Sequence, residues 1–114
     1  QDPAHFRGGL APGDGVHVVF PHLLGTIRAS YFLLTAQEIG ATEAKALGLA
    51  NEVLLAEQLL PRAYELARLL LAQSGPVRRA TRALMTQEIK TKMQRLLAFG
   101  LLAESQAQAQ QASL

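Results

Sequence analysis

The fold of this chain is decided by residues 10–25, which read LAPGDGVHVVFPHLLG. Glycine and proline are too dense over residues 8–15 for a helix or an interior strand, so this part is predicted to be a loop. The apolar run 16–20 that follows either alternates as a strand or forms a helix with Asp14 as its N-cap. We favour the helix, with a kink at Pro21.

Beyond residue 25 the chain is predicted to be mainly helical, with one or two short strands. Apolar residues recur at helical spacing, and glycines and prolines separate the segments. The predicted helices span residues 26–35, 41–47, 57–73 and 77–110, the last in two pieces, and residues 51–54 are a short strand candidate. Gly48 stands where a left-handed residue ends a helix. Pro61 fits its helix only within the first turn.

Composition narrows the class of protein. The length of 114 residues fits one domain, and the hydrophobic content of 49% fits a packed core. Its lack of cysteine excludes a disulfide framework, a thiolate zinc site and a cysteine nucleophile. No apolar run approaches the roughly 18 residues of a spanning helix, so we expect no membrane partner and a cytoplasmic location.

The net charge of +2 hides an asymmetry between the two halves of the chain. Residues 1–66 carry four basic and seven acidic residues, and residues 67–114 carry seven basic and two acidic residues. So small a total argues against nucleic acid as a partner. The basic residues cluster on the predicted last helix, where they form either a solvated face or an anion-binding surface. They are Arg78, Arg79, Arg82, Lys90, Lys92 and Arg95.

Three residues are candidates for catalysis. His5 and Asp14 flank the glycine-rich loop, and a carboxylate that bonds a histidine ring makes it a better base. The alternative is a loop histidine and a helix cap. On a helical projection that starts at Ile89, Glu104 falls about 60° from the origin, at the flank of an apolar stripe that includes Gly100. A carboxylate there is paired, protonated or lining a cavity, unless the helix ends before it.

Other chemistries have less support. A zinc site built from His5, His17 and His22 has the right residue type but no typical spacing, and core or surface histidines are the favoured interpretation. The glycines at 13 and 15 lack the third glycine of a dinucleotide loop and the lysine of a phosphate loop. We therefore expect no metal and no bound cofactor.

The order of motifs resembles the C-terminal half of the crotonase (enoyl-CoA hydratase/isomerase) superfamily. The motifs are LAPGDG at 10–15, FPHLLG at 20–25, YFLLT at 31–35, IGATEA at 39–44 and GLANEVL at 48–54. The resemblance covers nearly the whole chain, from Gln1 to about Gln108. It implies the C-terminal portion of the α/β crotonase fold: residues 1–73 in the spiral core, with an active-site loop at 1–17, and residues 74–114 as a helical oligomerisation segment.

Within that superfamily the chain looks like the β-diketone hydrolases of the 6-oxocamphor hydrolase type. His5 stands seven residues before the Pro-Gly pair, where enoyl-CoA hydratases carry a catalytic glutamate. The stretches 12–15, 17–22, 31–35 and 59–63 also carry this likeness. The resemblance implies retro-Claisen cleavage of a diketone without coenzyme A, with His5 and Asp14 as the catalytic pair and Glu104 as a helical carboxylate.

The resemblance also places the N-terminal half of the family fold before Gln1, so we expect this piece to be inactive by itself. It implies a homo-oligomer, a trimer or a hexamer. Two alternatives stay open. One is an acyl-CoA enzyme of the superfamily whose basic cluster contacts CoA phosphates, and the other is a non-catalytic oligomerisation module.

Overall fold

The computed structural model describes residues 7–113 and is built from helices in that range. The helices are α1 (Val16–Leu24), α2 (Thr26–Thr35), α3 (Ala41–Ala46), α4 (Ala56–Leu71) and α5 (Gly75–Gln111). The mainly helical prediction is thereby confirmed for the described residues. The strand predicted at 51–54 is irregular backbone, because residues 7–113 contain no second strand to supply the hydrogen-bonded partner that a strand needs.

The core lies between α1 and α2, which form a hairpin around Gly25. Phe20 of α1 packs against Ala29 and Phe32 of α2, and all three side chains are buried. The partly buried Ile39 and Leu47 close this cluster from the following segment. The helix prediction for the run at 16–20 is therefore confirmed.

The cap predicted for α1 is wrong by one residue. Gly15, not Asp14, is the N-cap, and no side chain makes a cap hydrogen bond. Gly15 has φ 134°, a value that L side chains rarely adopt, and a Cβ there would meet the Met93 side chain at 3.6 Å. A glycine therefore makes the turn that leads into α1, and Asp14 lies exposed on the loop before it.

The last helix is continuous, whereas two pieces were predicted. Ser74 caps α5 by accepting a hydrogen bond from the Val77 backbone N–H (3.4 Å), and Pro76 lies in the first turn. No proline interrupts the helix after that turn, and the one glycine in its interior, Gly100, keeps helical geometry. A single glycine costs a helix about 1 kcal/mol, which a helix of 37 residues tolerates.

Helix α4 also differs in detail from the prediction. It begins at Ala56, so Pro61 is its sixth residue and lies beyond the first turn to which we had confined it. The Leu55 backbone N–H donates to the Gln58 side chain (3.3 Å) and fixes the start of the helix. The C-terminal glycine of α3 was predicted correctly, since Gly48 has φ 78°.

Packing is uneven along the chain. None of the residues of α4 is buried, and large apolar side chains on the first half of α5 are exposed, such as Leu84 at 80% and Met85 at 77%. An apolar cleft of about 500 Å³ runs between α4 and α5. No helix described between residues 7 and 113 is long and apolar enough to cross a membrane.

An ion-pair network joins α4 to the segment before it. The Arg62 guanidinium donates to the Glu52 carboxylate from Nε (2.9 Å) and Nη2 (2.8 Å), and to Glu65 from Nη1 (2.6 Å). The hydrogen bonds from Arg62 lower the pKa of Glu52 below its usual range.

We expect Arg62→Ala to lower the free energy of unfolding at pH 7 and to have no effect in acid. A lowered carboxyl pKa means that the pair stabilises the fold above the usual pKa and stops doing so as the pH falls below about 4. Urea unfolding followed by circular dichroism at several pH values measures this, with Arg79→Ala on the exposed face of α5 as the control. An equal deficit at pH 7 and in acid would contradict the prediction.

Candidate active site

The loop before α1 packs directly on the backbone of α5. Gly13 of the loop and Gly100 of α5 are both buried. A Cβ placed on Gly13 would overlap the Gly100 carbonyl, and one placed on Gly100 would lie 2.5 Å from the Gly13 carbonyl oxygen. Both neighbours are backbone atoms that cannot rotate away, so this approach requires glycine on both sides. We call it the glycine contact.

His17 holds α1 against the same face of α5. Its Nε2–H donates to the backbone carbonyl of Leu96 (3.2 Å), and its ring lies where a side chain on Gly100 would be. The opposite ring nitrogen, Nδ1, is buried and accepts no hydrogen bond from the residues that the structure describes.

Two of the three predicted catalytic residues, Asp14 and Glu104, lie close to the glycine contact. Asp14 directly follows Gly13 and is exposed. Glu104 lies one turn after Gly100, and its Cβ is 3.0 Å from the position of a Cβ on Gly13. Its Oε2 is removed from solvent. Helix α5 continues to Gln111, so the alternative in which the helix ends before Glu104 is wrong.

The third predicted residue, His5, lies outside the described residues, so its pairing with Asp14 stays a prediction. A small apolar cavity of about 150 Å³ lies at the junction of the loop, α1 and α5. Its walls include Pro12, His17 and Phe99. The structure therefore joins the Asp14 loop to the Glu104 helix next to an apolar space.

The basic cluster faces several directions and does not form one surface. Arg78 donates to the Leu70 carbonyl (2.7 Å) at the turn between α4 and α5. Lys92 pairs with Glu88 (2.7 Å) and lies 3.4 Å from Nδ1 of His22, beside a cleft of about 350 Å³. The hydrogen bond from Lys92 lowers the pKa of Glu88.

The histidines described here are not arranged as metal ligands. His17 donates to a backbone carbonyl and His22 lies beside a lysine. Across residues 7–113 no three histidine, aspartate or glutamate side chains are close enough to hold a metal ion.

Sequence reasoning missed the importance of Gly100 and His17. We counted Gly100 as one member of an apolar stripe and took His17 for a core or surface histidine, with a zinc ligand as the alternative. A signal was present: glycine weakens a helix interior, so a glycine on the buried stripe, four residues before a carboxylate, indicates the close approach of another backbone.

The sequence of this chain places it in a known class of proteins. Residues 4–113 match the enoyl-CoA hydratase/isomerase family, and the chain belongs to that family. The expected crotonase-superfamily membership is thereby confirmed, and the mainly helical structure fits a C-terminal portion of the crotonase fold.

Known relatives include both hydratases and a hydrolase. The chain is 33% identical over 105 residues to a crotonyl-CoA hydratase of Syntrophomonas wolfei, covering 88% of this chain and 40% of the relative. A solved structure of a β-diketone hydrolase from the cyanobacterium Anabaena sp. PCC 7120, bound to (S)-3-oxocyclohexyl acetic acid, is similar with a TM-score of 0.87 and 38% identity. That match covers 90% of this chain and 41% of the hydrolase. The chain thus spans about two fifths of the length of these relatives.

Proposed function

We propose that this chain is part of a β-diketone hydrolase that uses water to cleave a carbon–carbon bond of a cyclic 1,3-diketone. The observation that carries the proposal is the similarity to the Anabaena β-diketone hydrolase over 90% of this chain. The molecule bound to that enzyme has one carboxylic acid and one ketone. Hydrolysis of a bicyclic 1,3-diketone between its carbonyl groups yields a keto acid of this kind.

The proposed reaction balances without a cofactor. Water, losing a proton to a base, adds to one ketone carbon. The bond from that carbon to the carbon between the two carbonyls breaks, and its electron pair passes into an enolate with the second ketone. The enolate carbon then takes a proton, so the net change is the addition of one water molecule. Hydrogen-bond donors near the enolate oxygen would lower the barrier.

Three side chains are assigned roles in this proposal. His5 takes the proton from water, and Asp14 orients the His5 ring and raises its basicity. Glu104 positions or protonates the reacting species. The glycine contact supports the assignment, because it joins the loop that carries Asp14 to the helix that carries Glu104 across 90 residues of sequence.

We further propose that this segment works within a longer, cytoplasmic polypeptide that forms a homo-oligomer, a trimer or a hexamer. The exposed apolar residues of α4 and of the first half of α5 support this proposal. Apolar patches of this extent are typical of surfaces that other chain segments or subunits cover. In this arrangement residues 74–114 are the oligomerisation segment.

A second candidate function is that of an acyl-CoA hydratase or isomerase. The 33% identity to the crotonyl-CoA hydratase over 88% of this chain favours it. Its substrate would be an acyl thioester, with CoA phosphates held by basic residues. The residue at position 5 weighs against it, since a histidine stands where the resemblance expects the hydratase glutamate.

In the complete protein we expect His5→Ala to reduce kcat for a bicyclic 1,3-diketone by about 10³-fold or more, and Asp14→Asn and Glu104→Gln by about 10²-fold or more. The loss of the base removes water activation, and the loss of either carboxylate removes orientation or charge. Steady-state kinetics measure the effect. His22→Ala and Glu57→Gln are the matched controls. Full activity of His5→Ala would contradict the assignment of His5 as the base.

Assays on the complete protein distinguish between the two candidate substrates. We expect a bicyclic 1,3-diketone to be hydrolysed and to raise the melting temperature, because ligand binding to the folded state stabilises it. Crotonyl-CoA should do neither. Turnover of crotonyl-CoA without turnover of the diketone would favour the hydratase.

The isolated 114-residue chain is expected to show no diketone hydrolysis, since the proposal places part of the pocket in the remainder of the polypeptide. A product assay by mass spectrometry, with the complete protein as the positive control, tests this. Measured cleavage by the isolated chain would refute it. A defined trimer of the complete protein that responds to neither ligand would favour the oligomerisation module.

A further inference from the structure

The face of α5 that meets the active-site loop and the start of α1 includes three residues spaced four apart. Leu96, Gly100 and Glu104 follow one another on successive turns and so share one side of the helix. Each has a defined contact: the Leu96 carbonyl accepts from His17, Gly100 touches Gly13, and Glu104 lies beside Gly13. One strip of helix therefore holds both α1 and the loop before it.

The glycine contact leaves little freedom between the two carboxylates. Gly13 precedes Asp14 by one residue, and Gly100 precedes Glu104 by one turn. The two glycines meet backbone to backbone, without a flexible side chain between them. Any displacement of the loop from α5 therefore moves Asp14 relative to Glu104.

His17 prevents the loop from sliding along α5. It lies three residues after Asp14 in the first turn of α1, and its ring fills the space that Gly100 leaves open. The hydrogen bond from Nε2–H to the Leu96 carbonyl fixes that ring at one height on the helix. Asp14 thus lies between two fixed points, Gly13 held by contact and His17 held by a hydrogen bond.

We infer that Gly100 and His17 are positioning residues, which set the catalytic geometry by holding the Asp14 loop at a fixed distance from Glu104. The inference rests on the proposed function for its catalytic consequence. Its structural part, the dependence of the loop on these two residues, stands on the contacts alone. Small misplacements of reacting groups cost large factors in rate, about 10²-fold for 1 Å.

The test uses the complete protein and measures kcat and KM separately. Gly100→Ala forces the Gly13 carbonyl and the His17 ring away, and we expect kcat to fall by about tenfold or more while KM changes by less than about threefold. Gly40→Ala is the matched control, because Gly40 has φ −70° and a Cβ there meets no atom within 4 Å. It should keep wild-type kinetics.

A pair of His17 variants isolates the hydrogen bond. His17→Leu removes the donor and should lower kcat as Gly100→Ala does, whereas His17→Gln keeps an N–H at the reach of Nε2 and should restore kcat to within about threefold of wild type. A uniform loss in both His17 variants would overturn the role of the hydrogen bond. If Gly100→Ala does not fold, the kinetics of the two His17 variants decide whether the inference holds.

Hydrogen exchange gives a readout that does not depend on activity. In Gly100→Ala and in His17→Leu, the backbone amides of residues 11 and 13–15 should exchange about tenfold faster than in wild type and in Gly40→Ala. If the wild-type protein hydrolyses no diketone, the proposed function fails, and the positioning role is then tested by hydrogen exchange alone. Unchanged exchange together with unchanged kcat would overturn the inference.

Discussion

The contact between Gly13 and Gly100 is the constraint on which the rest of the site depends. It joins positions 87 residues apart in the chain without any side chain between them. Side-chain contacts can adjust by rotating, but two backbones in contact can only move as rigid elements. Asp14, which follows Gly13 directly, and Glu104, which lies one turn after Gly100, therefore gain their relative position from the path of the main chain.

The same contact separates two kinds of packing in the molecule. On the side of the structure that contains the glycine contact, α1 and α2 enclose a small core around Phe32, and the second half of α5 packs on α1. On the other side, α4 and the first half of α5 expose large apolar side chains around an open cleft. Our proposal of a longer polypeptide accounts for this contrast, because a core shared with other segments would be only partly formed within this chain.

Helices were predictable because their signals are local. The ends at Gly25, Gly48 and Ser74 follow from turn and cap chemistry that a few neighbouring residues specify. The candidate strand at 51–54 was wrong because a strand depends on a partner, which local pattern cannot supply. The break expected in α5 was also wrong, since residues 77–99 contain no proline or glycine and the helix runs without interruption to Gln111.

The site was predictable only in part. Glu104 could be singled out because a carboxylate at the flank of an apolar stripe is costly unless it is used. Gly100 and His17 could not be assigned their contacts, because the residues that each of them contacts are distant in sequence. Periodicity reports which face of a helix is buried, not what lies against it.

Family membership by itself does not decide between a hydratase and a hydrolase, because the two chemistries need much of the same scaffold. Addition of water to an enoyl thioester produces an enolate, and cleavage of a 1,3-diketone releases one. A site that stabilises an enolate oxygen therefore serves both reactions, and the difference must come from the group that handles water and from the shape of the pocket. A neutral histidine can take a proton from water and return it to the enolate carbon in one cycle near neutral pH, because its ordinary pKa lies there. In our proposal the choice between the two reactions is therefore made at position 5 and held in place by the loop that ends on the glycine contact.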